Sequence, residues 1–219
     1  MFEFLLTLAA ALPFLMLIYW LQSPEKGSPR PLFQLFAIGL TAPAAAAAAE
    51  LLSIPICGLF PAALVVPAKA FIGIALIEEL IKLTAMMLAA QRLPLHGSAS
   101  IGAVYGMCTA MGFALSENII YLIGADSALR LALLRGFTAM PLHLLTGAIT
   151  GLAWARVKMA SRGSTVPALL LATAIHGCYN FISLADPLPG YLRIVLLGLG
   201  WFGMLFHLHR LRRGEKNDF

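Results

Sequence analysis

The chain has 219 residues, of which 60% are hydrophobic and only 11% charged, and its mean hydropathy is +0.88. A soluble domain carries about 25% charged residues, so a soluble fold is excluded and an all-α polytopic membrane protein, a bundle of about seven transmembrane helices, is expected. The net charge of +5 is no nucleic-acid signal, because the basic residues gather in short loops and at the tail (Arg210, Arg212, Arg213, Lys216), as membrane orientation requires.

The N-terminus begins with Glu3 rather than a basic stretch and shows no cleavage site after its apolar run. Residues 2–22 are therefore expected to be a retained first span rather than a removed signal. Further apolar runs of about 20 residues, the length that crosses a bilayer, fall near 32–54, 66–90, 100–124, 131–156, 166–185 and 190–209. The second span is the least apolar, with Pro43 followed by alanines from Ala44 to Ala49. The stretch after it, interrupted by Pro55, Pro61 and Pro67, reads as re-entrant or as a plain loop. Polar connectors at 23–31, 91–98, 124–128 and 156–162 separate the remaining spans. One membrane domain thus fills 1–219, with a catalytic core at approximately 66–185. Cys57, Cys108 and Cys178 are too few and scattered for a disulfide framework or a thiolate metal site.

Lys26, Arg30, Arg92, Arg156, Lys158, Arg162 and the basic tail fall on one side of this arrangement, and Lys69, Arg130 and Arg193 on the other. The asymmetry predicts an N-terminus outside and a C-terminus in the cytoplasm. Small residues at four-residue spacing (Gly102, Gly106, Ala110; Gly147, Gly151) predict close packing of the fourth and fifth spans.

The third span holds the most telling feature, Glu78 and Glu79 side by side with Lys82 one turn further on. A charge at the centre of a bilayer costs a few kcal/mol even on lenient scales, and such residues mark functional sites. Glu117 and Asn118 follow in the fourth span, Arg135 and His143 in the fifth, and His176 and Asn180, on one helical face, in the sixth. At about 1.5 Å of rise per residue, Glu78, Glu117, His143 and His176 all fall roughly 10–18 Å below the outer boundary. Four helices bringing ionisable groups to one level predict a single site. Lys82 reads equally as a partner that makes Glu78 insertable, and Asn118 and Asn180 equally as interhelical hydrogen-bond glue.

The motifs EELIK (Glu78 to Lys82), FALSEN (Phe113 to Asn118), His143 and HGCYN (His176 to Asn180), in this order and on these spans, resemble the PrsW family, bacterial intramembrane peptidases related to the CAAX prenyl proteases. Lys82 stands one position before the place of the prenyl-protease branch's arginine, and Glu117 stands where that branch has a histidine, which argues against a prenylated substrate. The resemblance implies a bacterial inner-membrane location, essential roles for Glu78, Glu79 and His176, and a single-pass membrane protein substrate of the anti-sigma-factor kind.

No serine or cysteine sits in a recognisable nucleophile arrangement, which leaves two ways to activate water. In one, Glu117, His143 and His176 hold zinc while Glu78 or Glu79 acts as base. In the other, one glutamate takes the water's proton without a metal while His176 and Asn180 donate to the oxyanion. A proton-coupled transporter would also carry such residues at mid-membrane, though no internal repeat is evident. A non-catalytic scaffold would be expected to have lost part of the polar set, all of which is present here.

Overall fold

The computed structural model describes residues 29–96, 98–123, 125–185 and 188–217, with Leu5, Ala11, Leu12, Phe14, Met16 and Ile18 before them. The expected first span, 2–22, otherwise lies outside the described residues. Among the described residues the chain is helical throughout, with no strand. In chain order the elements are α1 (Arg30–Cys57), α2 (Ala62–Ala68), a π-helical stretch (Lys69–Leu76), α3 (Ile77–Ala90), α4 (Ala99–Leu122), α5 (Ala128–Phe137), α6 (Ala139–Ala160), α7 (Val166–Leu184) and α8 (Tyr191–Asn217). Among the described residues, five stretches are long and apolar enough to cross a membrane: α1, α4, α5 with α6, α7, and α8 as far as Leu211. The protein is a multi-pass membrane protein.

The middle of the bundle is α4, of whose most apolar window 94% is buried, against 28% for α1, 22% for α7 and 17% for α8. Its glycines explain how it got there. A Cβ on Gly106 would strike the Gly147 carbonyl, and one on Gly151 would strike that of Gly102, so α4 and α6 meet backbone to backbone. Small residues permit this approach, and dispersion contacts replace the hydrophobic drive that lipid cannot supply. On its other side α4 meets α1 at Gly112 and Gly39. There Ser116 Oγ donates to the Leu40 carbonyl at 2.8 Å. Ser98 caps the start of α4, its Oγ accepting from the Ser100 amide at 3.2 Å.

The alanine-rich second span is helical from Arg30 through Cys57, with Pro43 and Pro55 inside it. The expected re-entrant segment or loop is a short turn at 58–61 followed directly by α2. From there the chain stays helical to Ala90, but Lys69–Leu76 winds as a π-helix just after Pro67. Such stretches occur where the regular ladder is disturbed and often stand at functional sites. This one ends at Leu76, two residues before Glu78. Gly177 of α7 packs on the Phe71 ring of the same stretch.

The fifth span is not one helix. It breaks at Thr138 between α5 and α6. Pro141 cannot donate to the Phe137 carbonyl four residues earlier, and the Thr138 hydroxyl stitches the break by bonding to the Leu134 carbonyl and to Tyr179 Oη, both at 2.7 Å. At the other end of α6, Lys158 Nζ donates to the carbonyls of Ala90, Gln91 and Leu93 at 3.3, 2.9 and 3.0 Å. It thereby satisfies the last turn of α3.

Candidate active site

Glu78 and Glu79 open α3 where the π stretch ends, His143 stands one turn into α6, and His176 and Asn180 lie on α7. Glu117 and Asn118 sit near the end of α4. The four helices converge at the end of the bundle that carries the α1–α2, α4–α5 and α7–α8 connections. Glu78, Glu79, Lys82, Asn118, His143 and His176 are all buried.

Glu79 Oε1 accepts from Lys82 Nζ at 2.6 Å and lies 2.7 Å from His176 Nδ1. An ionised carboxylate only accepts, so this partner places a proton on His176 Nδ1, and in the neutral ring the Nε2 lone pair is then free. His143 is held from both sides, with Lys82 Nζ 2.9 Å from Nδ1 and Glu117 Oε2 2.8 Å from Nε2. An ammonium only donates, so His143 is the other tautomer, with its proton turned to Glu117. The two rings stand edge to face, their centroids 5.2 Å apart at 89°, and Phe113 packs 5.5 Å from the ring of His143.

Into the space between the rings comes Glu78. Its Oε2 lies 4.0 Å from His143 Nδ1 and 3.9 Å from His176 Nε2, and it has no hydrogen-bond partner among the described residues. One ligand atom from each of Glu78, His143 and His176 lies within 4.8 Å of the others, close enough to hold a metal ion. The carboxylate of this group is Glu78, where the sequence pointed to Glu117. Glu117 stands behind His143 instead, in an ion pair with Arg135 at 2.9 Å. Lys82, expected to pair with Glu78, pairs with Glu79 three residues back, which on a helix is an equally close neighbour.

The three groups border a cavity of about 220 Å³, which Glu117, Asn180 and Arg135 also line and Glu79 does not. Asn180 Nδ2 is buried with no hydrogen-bond partner among the described residues. Asn118 turns away and accepts from Arg135 Nε at 2.7 Å. Arg135 is the site residue that sequence reasoning left unassigned. Its guanidinium joins Glu117 and Asn118 and lies over the Tyr121 ring at 3.8 Å from the centroid. The available signal was Pro141, which breaks the span and places Arg135 on a separate short helix leaning on α4.

The fold and the site define an intramembrane protease: a helical bundle burying carboxylates and imidazoles around a small cavity. A family model described as PrsW family intramembrane metalloprotease matches residues 29–208, and the chain belongs to that family. It is similar to the protease PrsW of Oceanobacillus iheyensis, 31% identical over 154 residues that make up 68% of each chain. The protease PrsW of Bacillus subtilis is 32% identical over 108 residues, 47% of this chain and 49% of that one. That of Geobacillus kaustophilus is 30% identical over 140 residues, 61% and 60% of the two. No solved structure matches the chain.

A metalloprotease family implies a metal, and the residues present fit one. The buried, unpartnered Glu78 Oε2 and two imidazole nitrogens form an open three-ligand set of the kind that catalytic zinc uses. Each histidine has its remote nitrogen against a carboxylate, Glu79 for His176 and Glu117 for His143, the support that fixes ring orientation and tautomer at metal sites.

Proposed function

We propose that the protein hydrolyses a peptide bond of a single-pass membrane protein, of the anti-sigma-factor kind, at the cavity lined by Glu78, His143 and His176. It does so from the inner membrane of a bacterium, its N-terminus outside and its C-terminus in the cytoplasm. The observation that carries this reading is the convergence of Glu78 Oε2, His143 Nδ1 and His176 Nε2, each histidine backed by a carboxylate. Glu78, His143 and His176 would hold the metal, in the first instance zinc. A zinc ion bound there polarises a carbonyl and acidifies bound water.

The chain's own groups do the rest. Glu79, outside the cavity, keeps the His176 Nδ1 proton and hence the Nε2 lone pair in place, and Lys82 balances its charge. Glu117 does the same for His143, with its own charge balanced by Arg135. Asn180 Nδ2 donates to the carbonyl oxygen as negative charge develops on it, a contribution that counts most where water is excluded. Glu78 faces the substrate and Glu79 orients its neighbour, so the adjacent glutamates have separate roles.

One contact favours a second reading. Lys82 Nζ already occupies His143 Nδ1 at 2.9 Å, the nitrogen that a metal would need. Without metal, Glu78 is the base that takes the water's proton, and His176 and Asn180 serve the oxyanion. Metal analysis of the purified protein, combined with cleavage of a candidate single-pass substrate before and after chelation, separates the two. Stoichiometric metal with activity lost on chelation supports the first reading, and full activity in metal-free protein ends it. Undiminished cleavage by Glu78→Gln would remove both.

A further inference from the structure

The cavity at the site is smaller than the roughly 300–1,000 Å³ of pockets that enclose even a small ligand, so a polypeptide reaching Glu78 must lie mostly elsewhere. A groove of about 660 Å³ adjoins it, between the last turns of α1, the start of α2 and the π stretch, and the ends of α4 and α7. The two spaces share Ile74, Tyr121 and Leu184 as walls. The groove is mostly apolar, and its rim residues Leu51 and Ile54 are 67% and 60% exposed on the outside of the bundle, where lipid would lie. Glu50 is out of place in it. This residue is half-buried, and its carboxylate makes no hydrogen bond or ion pair among the described residues. Lys69, exposed on the same groove, is not paired with it. A carboxylate on an apolar wall is costly unless it meets a donor or a cation. A lipid tail offers neither.

We infer that this groove seats the membrane-spanning segment of the substrate, and that Glu50 selects a segment bearing a lysine or arginine near the bond to be cut. The inference rests on the peptidase reading above. The groove leads directly to the cavity past Tyr121 and Leu184, and the Glu50 carboxylate stands on its wall. A basic side chain is the complement to that charge, and Glu50 is the group on the groove wall left to meet it.

The test uses the full chain carrying Glu78→Gln, so that binding is read without cutting, in phosphatidylcholine vesicles. A photo-reactive benzoylphenylalanine replaces Ile54, and a synthetic peptide with one Leu/Ala span of about 20 residues carries Lys, Met or Glu at its middle. The Lys peptide is expected to cross-link roughly fivefold better than the Met peptide, as a half-exposed ion pair allows. Glu50→Gln should erase that preference, and Glu50→Lys should turn it toward the Glu peptide. The same probe at Phe202, on the exposed side of α8, should give only background. Thermal unfolding of each variant shows that it is folded. Equal cross-linking of the three peptides, an unchanged preference in Glu50→Gln, or equal adducts from Phe202 would overturn the inference. Because this assay needs no hydrolysis, a Lys preference in a protein whose parent cuts nothing would leave the groove standing and remove only the peptidase reading.

Discussion

Replacing Lys82 by methionine keeps the length of the side chain and removes its charge, in a place where charge has nowhere to go. Lys82 and Glu79 are 3% and 1% exposed and 2.6 Å apart, so the variant leaves a carboxylate buried with only neutral His176 beside it. Breaking one side of a buried pair costs about 3–5 kcal/mol. In Lys82→Met/Glu79→Gln no charge remains, and the amide oxygen can still accept from His176 Nδ1. The double variant should then lie within about 1 kcal/mol of the parent, which makes the coupling at least about 2 kcal/mol. Unfolding of the purified single and double variants in one detergent measures the cycle. The single change also withdraws the ammonium from His143 Nδ1, so bound zinc after dialysis should hold or rise while stability falls. A Lys82→Met protein as stable as the parent, or single effects that simply add, would refute the buried-pair account.

The other expectations are simpler. His176→Ala should lose metal and cleavage together while the protein remains inserted and abundant, measured by metal analysis and a substrate assay. Glu79→Gln should weaken metal binding about 10–100-fold by loosening the hold on His176, with excess zinc restoring part of the cleavage. Gly106→Val forces a side chain against the Gly147 carbonyl and should cost about 1–3 kcal/mol or more, visible as a lower unfolding temperature. A reporter fused at Gly163 should read as cytoplasmic, and a periplasmic signal there would invert the proposed orientation.

The spans were readable because apolar length is a strong signal: 100–124 was expected and Ala99–Leu122 is observed, 166–185 was expected and Val166–Leu184 is observed. The glycine spacing in α4 and α6 likewise announced their contact. What escaped is local backbone chemistry. The π winding after Pro67 and the break at Thr138 leave composition unchanged, so a hydropathy pattern runs through both. The level of Glu78, His143 and His176 followed from counting, since helical rise is constant. Their partners did not, because pairing depends on rotation about each helix axis. Glu79 rather than Glu78 meets Lys82, because positions three and four apart on a helix are equally close, and Glu117 meets Arg135 across two helices.

The glycine contacts divide the site mechanically. Glu117 and His143 ride on α4 and α6, locked backbone to backbone, while Glu78, Glu79 and His176 ride on the other pair, the π-wound rod and α7, joined where Gly177 meets Phe71. The Glu78–His143 distance of 4.0 Å therefore runs from one helix pair to the other, whereas the Glu79–His176 contact of 2.7 Å stays within one pair. Lys82, bonded to Glu79 in one pair and to His143 and Thr146 in the other, ties the two pairs together at the level of the site.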